Sequence, residues 1–206
     1  HNTGKRNCDN MNNNNASRAD AKDRIIKAVL DLISQKGNIS ITVREISKKA
    51  DVNLASINYH FRSIKNLFEE VENFLSEKIF ALNQILENKE MDPKKSILSW
   101  ARALMNFIYD NPGILWLMGN KLINKGSADI FMRKFSEIKG IPVSGLIKEI
   151  TGITNKQILN LKAVQILSGI IGPLILYYGV GKEFDFDLND KKVRDSYSES
   201  LVKSIL

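Results

Sequence analysis

The stretch Thr42-Val43-Arg44-Glu45-Ile46-Ser47-Lys48-Lys49-Ala50-Asp51-Val52-Asn53-Leu54-Ala55-Ser56-Ile57-Asn58-Tyr59-His60-Phe61 decides how this chain reads. Thr42 followed three residues later by Glu45 is a capping box, in which a hydroxyl and a carboxylate satisfy amides that the first helical turn leaves without acceptors. It opens a short helix whose apolar face is Val43, Ile46 and Ala50. Asp51-Val52-Asn53 interrupts, and a second short helix from Leu54 to about Phe61 buries Ile57 and Phe61. Two short helices joined by a tight turn form a helix-turn-helix, whose second helix enters the major groove of DNA.

With Val43, Ile46, Ala50, Val52, Ile57 and Phe61 inside, Asn53, Leu54, Ala55, Ser56, Asn58 and Tyr59 face outward on the second helix. Small Ala55 and Ser56 permit close approach to bases. Asn58 can donate and accept at a base edge, and Tyr59 can reach a phosphate. Arg44 stands at the exposed start of the first helix, while Lys48, Lys49, Arg62 and Lys65 add charge for the DNA backbone.

The charge distribution agrees. The 206 residues carry a formal net charge of +7, from 30 basic and 23 acidic side chains. Residues 1–68 hold 12 basic and 6 acidic groups, and the remainder 18 and 17. A basic N-terminal third beside a near-neutral remainder is the footprint of a unit that meets a polyanion.

From Asp20 onward the chain reads as helix. Ile25, Val29, Leu32 and Ile33 recur at helical spacing before Gly37, and Ser63 caps a long helix that reaches about Glu90. Breaks at Asp92-Pro93, Asn111-Pro112-Gly113, Gly126-Ser127, Gly140-Ile141-Pro142 and Thr151-Gly152 divide the rest. Helices are expected near 93–109, 112–124, 127–139, 143–150, 154–179 and 190–205. No segment keeps a period of two. The polar run at 1–19, with Met11 followed by four asparagines, reads as a disordered tail.

Helix for helix, residues 21–70 resemble the DNA-binding signature of TetR-family transcriptional regulators, from Thr42 through Tyr59-His60-Phe61-Arg62-Ser63 to Leu67. Two positions depart from that signature: Asp51 stands where the turn glycine usually is, and Ile64 replaces the lysine after Phe-x-Ser. The resemblance implies an all-α protein, with a three-helix DNA-binding domain at 20–65 and a helical-bundle effector and dimerisation domain at 66–206. It implies DNA contacts from Thr42, Arg44, Asn53, Leu54, Ala55, Ser56, Asn58, Tyr59, His60 and Lys65. The implied function is a ligand-responsive regulator, expected to be a repressor. It would bind a near-palindromic double-stranded operator as a homodimer and respond to a small-molecule effector.

Trp100, Trp116, Phe131, Phe135 and Tyr177 are the residues expected to line the effector pocket, and their apolar character favours an apolar or aromatic ligand. Dimerisation is expected on the helices near 154–179 and 190–205, through Ile158, Leu161, Ile166, Ile170, Val193, Tyr197, Leu201 and Ile205. Gly169 and Gly172 would allow close approach there, with Pro173 bending or ending the packing.

Other functional classes find little support. The single Cys8 and the pair His1 and His60 build no metal centre. No nucleophile–base set or phosphate loop suggests an enzyme or a cofactor. The apolar stretch Ile166 to Val180 is 15 residues, short of the roughly 20 a membrane span needs, so a cytoplasmic protein is expected.

Overall fold

The computed structural model describes residues 4–123, 142–179 and 186–206, with side chains from Asp20 to Asn120 in the first stretch. Nine helices and no strands occur among them. They are α1 (Gly4–Lys36), α2 (Val43–Ala50), α3 (Leu54–Phe61), α4 (Ile64–Glu87), α5 (Pro93–Asp110), α6 (Gly113–Ile123), α7 (Ser144–Thr151), α8 (Lys156–Gly179) and α9 (Lys191–Ile205). The helix expected near 127–139 lies outside the described residues. The segment expected to be a disordered tail is helical backbone from Gly4 onward. Extending a helix from a formed end avoids the nucleation cost, so a polar segment can continue one.

The chain divides into two compact units, residues 1–71 and 72–206. In the first, Ile25, Val29 and Ile33 of α1 are fully buried, together with Ile46 and Leu67. Ile26, Ala28, Leu30, Ile41, Ala50, Ile57, Phe61 and Val71 are also buried in this unit. Val43 and Val52, expected inside, are only half-buried because they sit at the rim of the short helices.

In the second unit α5, α8 and α9 supply most of the core, with Trp100, Met105, Ile147, Ala163, Ile166, Ile170, Leu174 and Val202 inside. Ile166 and Ile170, expected at a dimer interface, are fully buried within this chain. The reason is that α8 is apolar on more than one face, so periodicity alone cannot separate its core stripe from its outer stripe. Leu159, Ala163, Ile166, Ile170 and Leu174 form the former. Ile158, Leu161, Val164, Ile175 and Leu176 remain exposed. By length and composition α8 could cross a membrane, although one face of it is core here.

Pro173 neither bends α8 to a stop nor leaves a polar group stranded. Proline has no N–H, so the carbonyl of Gly169, four residues earlier, loses its helical donor. The Tyr197 hydroxyl of α9 donates to that carbonyl at 2.7 Å. Gly169 also makes room for α9 within the same chain, since a Cβ there would lie 2.8 Å from Leu201 Cδ2. Nothing lies within 4 Å of the corresponding point at Gly172.

Two charged residues of this unit are buried among the described residues, Glu72 and Arg194. Arg194 donates from Nε to Asn106 Oδ1 at 2.7 Å and from Nη1 to the Asn189 carbonyl at 3.0 Å. Its guanidinium stacks 3.9 Å above the Tyr109 ring. Those partners satisfy a group that would otherwise be costly to bury.

Candidate nucleic-acid interface

The first unit builds a helix-turn-helix from local rules. Gly37, at φ 63°, ends α1. The capping box at the start of α2 is complete: the Glu45 amide donates to Thr42 Oγ1 at 3.3 Å, and the Thr42 amide to Glu45 Oε2 at 2.9 Å. Lys36 lies 2.7 Å from the other Glu45 oxygen. Led by the Lys36 hydrogen bond, with the Thr42 bonds behind it, these contacts lower the Glu45 carboxyl to a pKa of about 2.

Asp51 ends α2 in the left-handed region at φ 52°, ψ 55°, the conformation the usual glycine would adopt. Aspartate is among the few side-chain-bearing residues that tolerate it. The Ser47 hydroxyl donates to the Val52 carbonyl at 2.6 Å and closes the turn. Asn53 then caps α3, accepting from the Ser56 amide at 2.7 Å. After α3, Arg62 sits at φ 63° while the Ser63 amide donates to the Phe61 carbonyl at 2.7 Å. That is a γ-turn of the rare positive-φ kind. Ser63 Oγ accepts from Asn66 and starts α4.

The outward residues expected on α3 are largely where the helical period places them. Asn53, Leu54, Ala55, Asn58 and Tyr59 are exposed, Tyr59 at 66%. Ser56 is half-buried beneath the Asn53 cap. His60 is also half-buried, edge-on to Tyr59 and tilted against Phe61, which makes it a packing residue between two rings. Thr42 is exposed, but its hydroxyl is engaged by Glu45. Lys65 is exposed and 3.9 Å from Glu69.

Arg44, Lys48, Asn53 and Leu54 converge on one open groove of about 570 Å³. Ser47, Asp51 and Val52 complete its lining. The sequence reading placed neither Ser47, within α2, nor Val52, expected inside, at this groove. Acidic neighbours claim Lys36, Lys49 and Lys22. Among the described residues no ion pair claims Arg44, Lys48 or Arg62, so their charge is available to an anion such as phosphate.

The residues expected around an effector are less concentrated. Trp100 is buried and donates from Nε1 to Asn83 Oδ1 at 3.1 Å. Tyr177 packs with Tyr109, Tyr178 and Phe186 at the edge of the same core. Trp116 is half-buried, and Phe131 and Phe135 lie outside the described residues. No cluster of metal-ligating side chains occurs among the described residues.

Residues 25–71 match the family model described as bacterial regulatory proteins, tetR family. The chain is 33% identical over 99 residues to the nucleoid occlusion factor SlmA of Aliivibrio fischeri strain MJ11, covering 47% of this chain and 50% of that protein. It is 32% identical over 89 residues to IcaR of Staphylococcus aureus strain Newman, a negative transcriptional regulator of the biofilm operon icaADBC, covering 43% of this chain and 46% of IcaR. These matches span about half the length of the curated relatives.

Among solved structures, a TetR transcriptional regulator from Legionella pneumophila superposes with a TM-score of 0.66 at 24% identity, over 89% of this chain and 96% of that one. A regulator from Aquifex aeolicus VF5 gives 0.63 at 20% identity, over 90% and 99%. Residues 25–71 thus carry the DNA-binding segment of the tetR family model, and the chain shares the fold of solved TetR-type regulators over nearly its whole length.

Proposed function

We propose that this protein is a transcriptional repressor that binds a near-palindromic operator as a homodimer and is released by a small apolar or aromatic effector. The observation that carries the reading is the α2–α3 face, where exposed Asn53, Ala55, Asn58 and Tyr59 stand beside Arg44 and Lys48, cations that no ion pair claims among the described residues. One recognition helix covers half a site, so a two-fold pair follows. Exposed Ile158, Leu161, Ile175 and Leu176 on α8 supply apolar surface for that pairing. The 32% identity to the negative regulator IcaR supports repression over activation. Such a regulator is soluble, works in the cytoplasm and catalyses no reaction.

In this reading Arg44 and Asn58 reach base edges, while Tyr59, Lys65 and Lys48 meet phosphates. The effector occupies the 66–206 domain near Trp100, Trp116, Phe131, Phe135 and Tyr177, and its binding changes the separation of the two α3 helices. Only a ligand with unequal affinity for the DNA-competent and incompetent states does this, with a coupling of about 1–3 kcal/mol.

The test is selection from random duplexes followed by binding from low to high salt. Tyr59→Ala and Lys65→Ala should weaken all sequences alike and flatten the salt dependence. Asn58→Ala and Arg44→Ala should relax base preference. Failure to bind any duplex at any salt refutes the proposal. A second reading, as a nucleoid occlusion factor, is favoured by the 33% identity to SlmA. Binding sites scattered over the chromosome, rather than at one promoter, would select it.

A further inference from the structure

Leu54 is the first residue of α3, directly after the Asn53 cap. Its spacing to Ile57 and Phe61 is that of a buried helical stripe, and those two are 3% and 2% exposed. Leu54 is 43% exposed. It stands past the edge of the core, on the wall of the groove that also holds Arg44 and Lys48. A branched apolar side chain at the entry of a recognition helix is exposed at a cost in the free protein, and burial against an apolar group on a partner would recover it. The major groove of DNA presents one such group, the C5-methyl of thymine.

We infer that Leu54 is a specificity-determining residue that reads the 5-methyl group of a thymine in each half-site, beside the base edge that Arg44 reaches, while Lys48 holds the flanking backbone. The inference rests on the DNA-binding reading of α2 and α3. The neighbours of Leu54 suit this division of labour. Ala55 keeps the helix close to the base edges, and Asn53 Oδ1 is committed to the Ser56 amide rather than to a base. Asp51, the acid on the groove wall, keeps phosphate toward the cations. Apolar contact with a methyl is a readout that hydrogen-bond inventories of this helix would miss.

The experiment uses the full chain and the duplex it selects from random sequence. Each thymine is replaced singly by deoxyuridine, which removes only the methyl. At one position per half-site the wild-type protein should lose roughly fourfold in affinity, the amount that burying one methyl contributes. Leu54→Ala should bind more weakly to the thymine duplex and show no further loss with deoxyuridine at that position, whereas Leu54→Met should keep the sensitivity. Because Leu54 is outside the core, Leu54→Ala should melt at the wild-type temperature. Equal deoxyuridine sensitivity in wild type and Leu54→Ala, or none in the wild type at any position, overturns the assignment while the DNA-binding reading stands. Absence of binding to every duplex overturns both.

Discussion

Replacing Tyr197 by Phe removes one hydroxyl and tests whether α9 repairs the gap that Pro173 opens in α8. The hydroxyl donates to the Gly169 carbonyl at 2.7 Å, where the missing amide of residue 173 would otherwise donate. An acceptor left without a partner costs about 1–3 kcal/mol when buried. Gly169 and Tyr197 are half-buried, so water can replace part of the bond and the cost falls near about 1 kcal/mol. In a chain of this length that lowers the melting temperature by roughly 2–4 °C. The decisive comparison is the same change in a Pro173→Ala background. Alanine restores the amide, so Tyr197→Phe should then cost almost nothing, giving a coupling of about 1 kcal/mol. Circular-dichroism melts of the four proteins at one protomer concentration measure it, because a dimer's stability depends on concentration. An equal loss in both backgrounds would refute the repair and leave Tyr197 as simple packing.

Further outcomes follow from particular residues. Asp51→Gly should leave stability unchanged or raise it, whereas Asp51→Val, a β-branched residue forced to φ 52°, should cost at least about 1 kcal/mol in urea unfolding. The Glu45 carboxyl has a folded pKa of about 2, below its ordinary value of 4.5, so its contribution is present above about pH 4.5 and is lost as pH falls toward 2. Acid unfolding of Glu45→Gln should accordingly be flatter over that window, and a profile parallel to wild type would contradict the assignment. Leu161→Glu, at a side chain 57% exposed on α8, should yield monomers in sedimentation while the helical content is kept. Emission from Trp100, buried and bonded to Asn83, should resist acrylamide quenching more than that of half-buried Trp116, as single Trp→Phe variants would show.

The residue order alone determined the DNA-binding unit, because its signals are local. A capping box, an interrupted apolar period and a cap on each helix act within three or four residues, and the structure places Thr42, Asn53 and Ser63 in those roles. The outward face of α3 followed from the same period. Beyond Val71 the sequence determined helix positions from their breakers, but not which face of each helix meets what. The α8 segment is apolar on opposite sides, and only packing against α5 and α9 decided that Ile166 and Ile170 are core while Ile158 and Leu161 are surface. The contacts that pin α9 pair residues far apart in the chain: Tyr197 with Gly169, and Arg194 with Asn106 and Tyr109. No local pattern encodes such pairs, since each is chosen by which backbone carbonyl or ring the fold leaves without a partner.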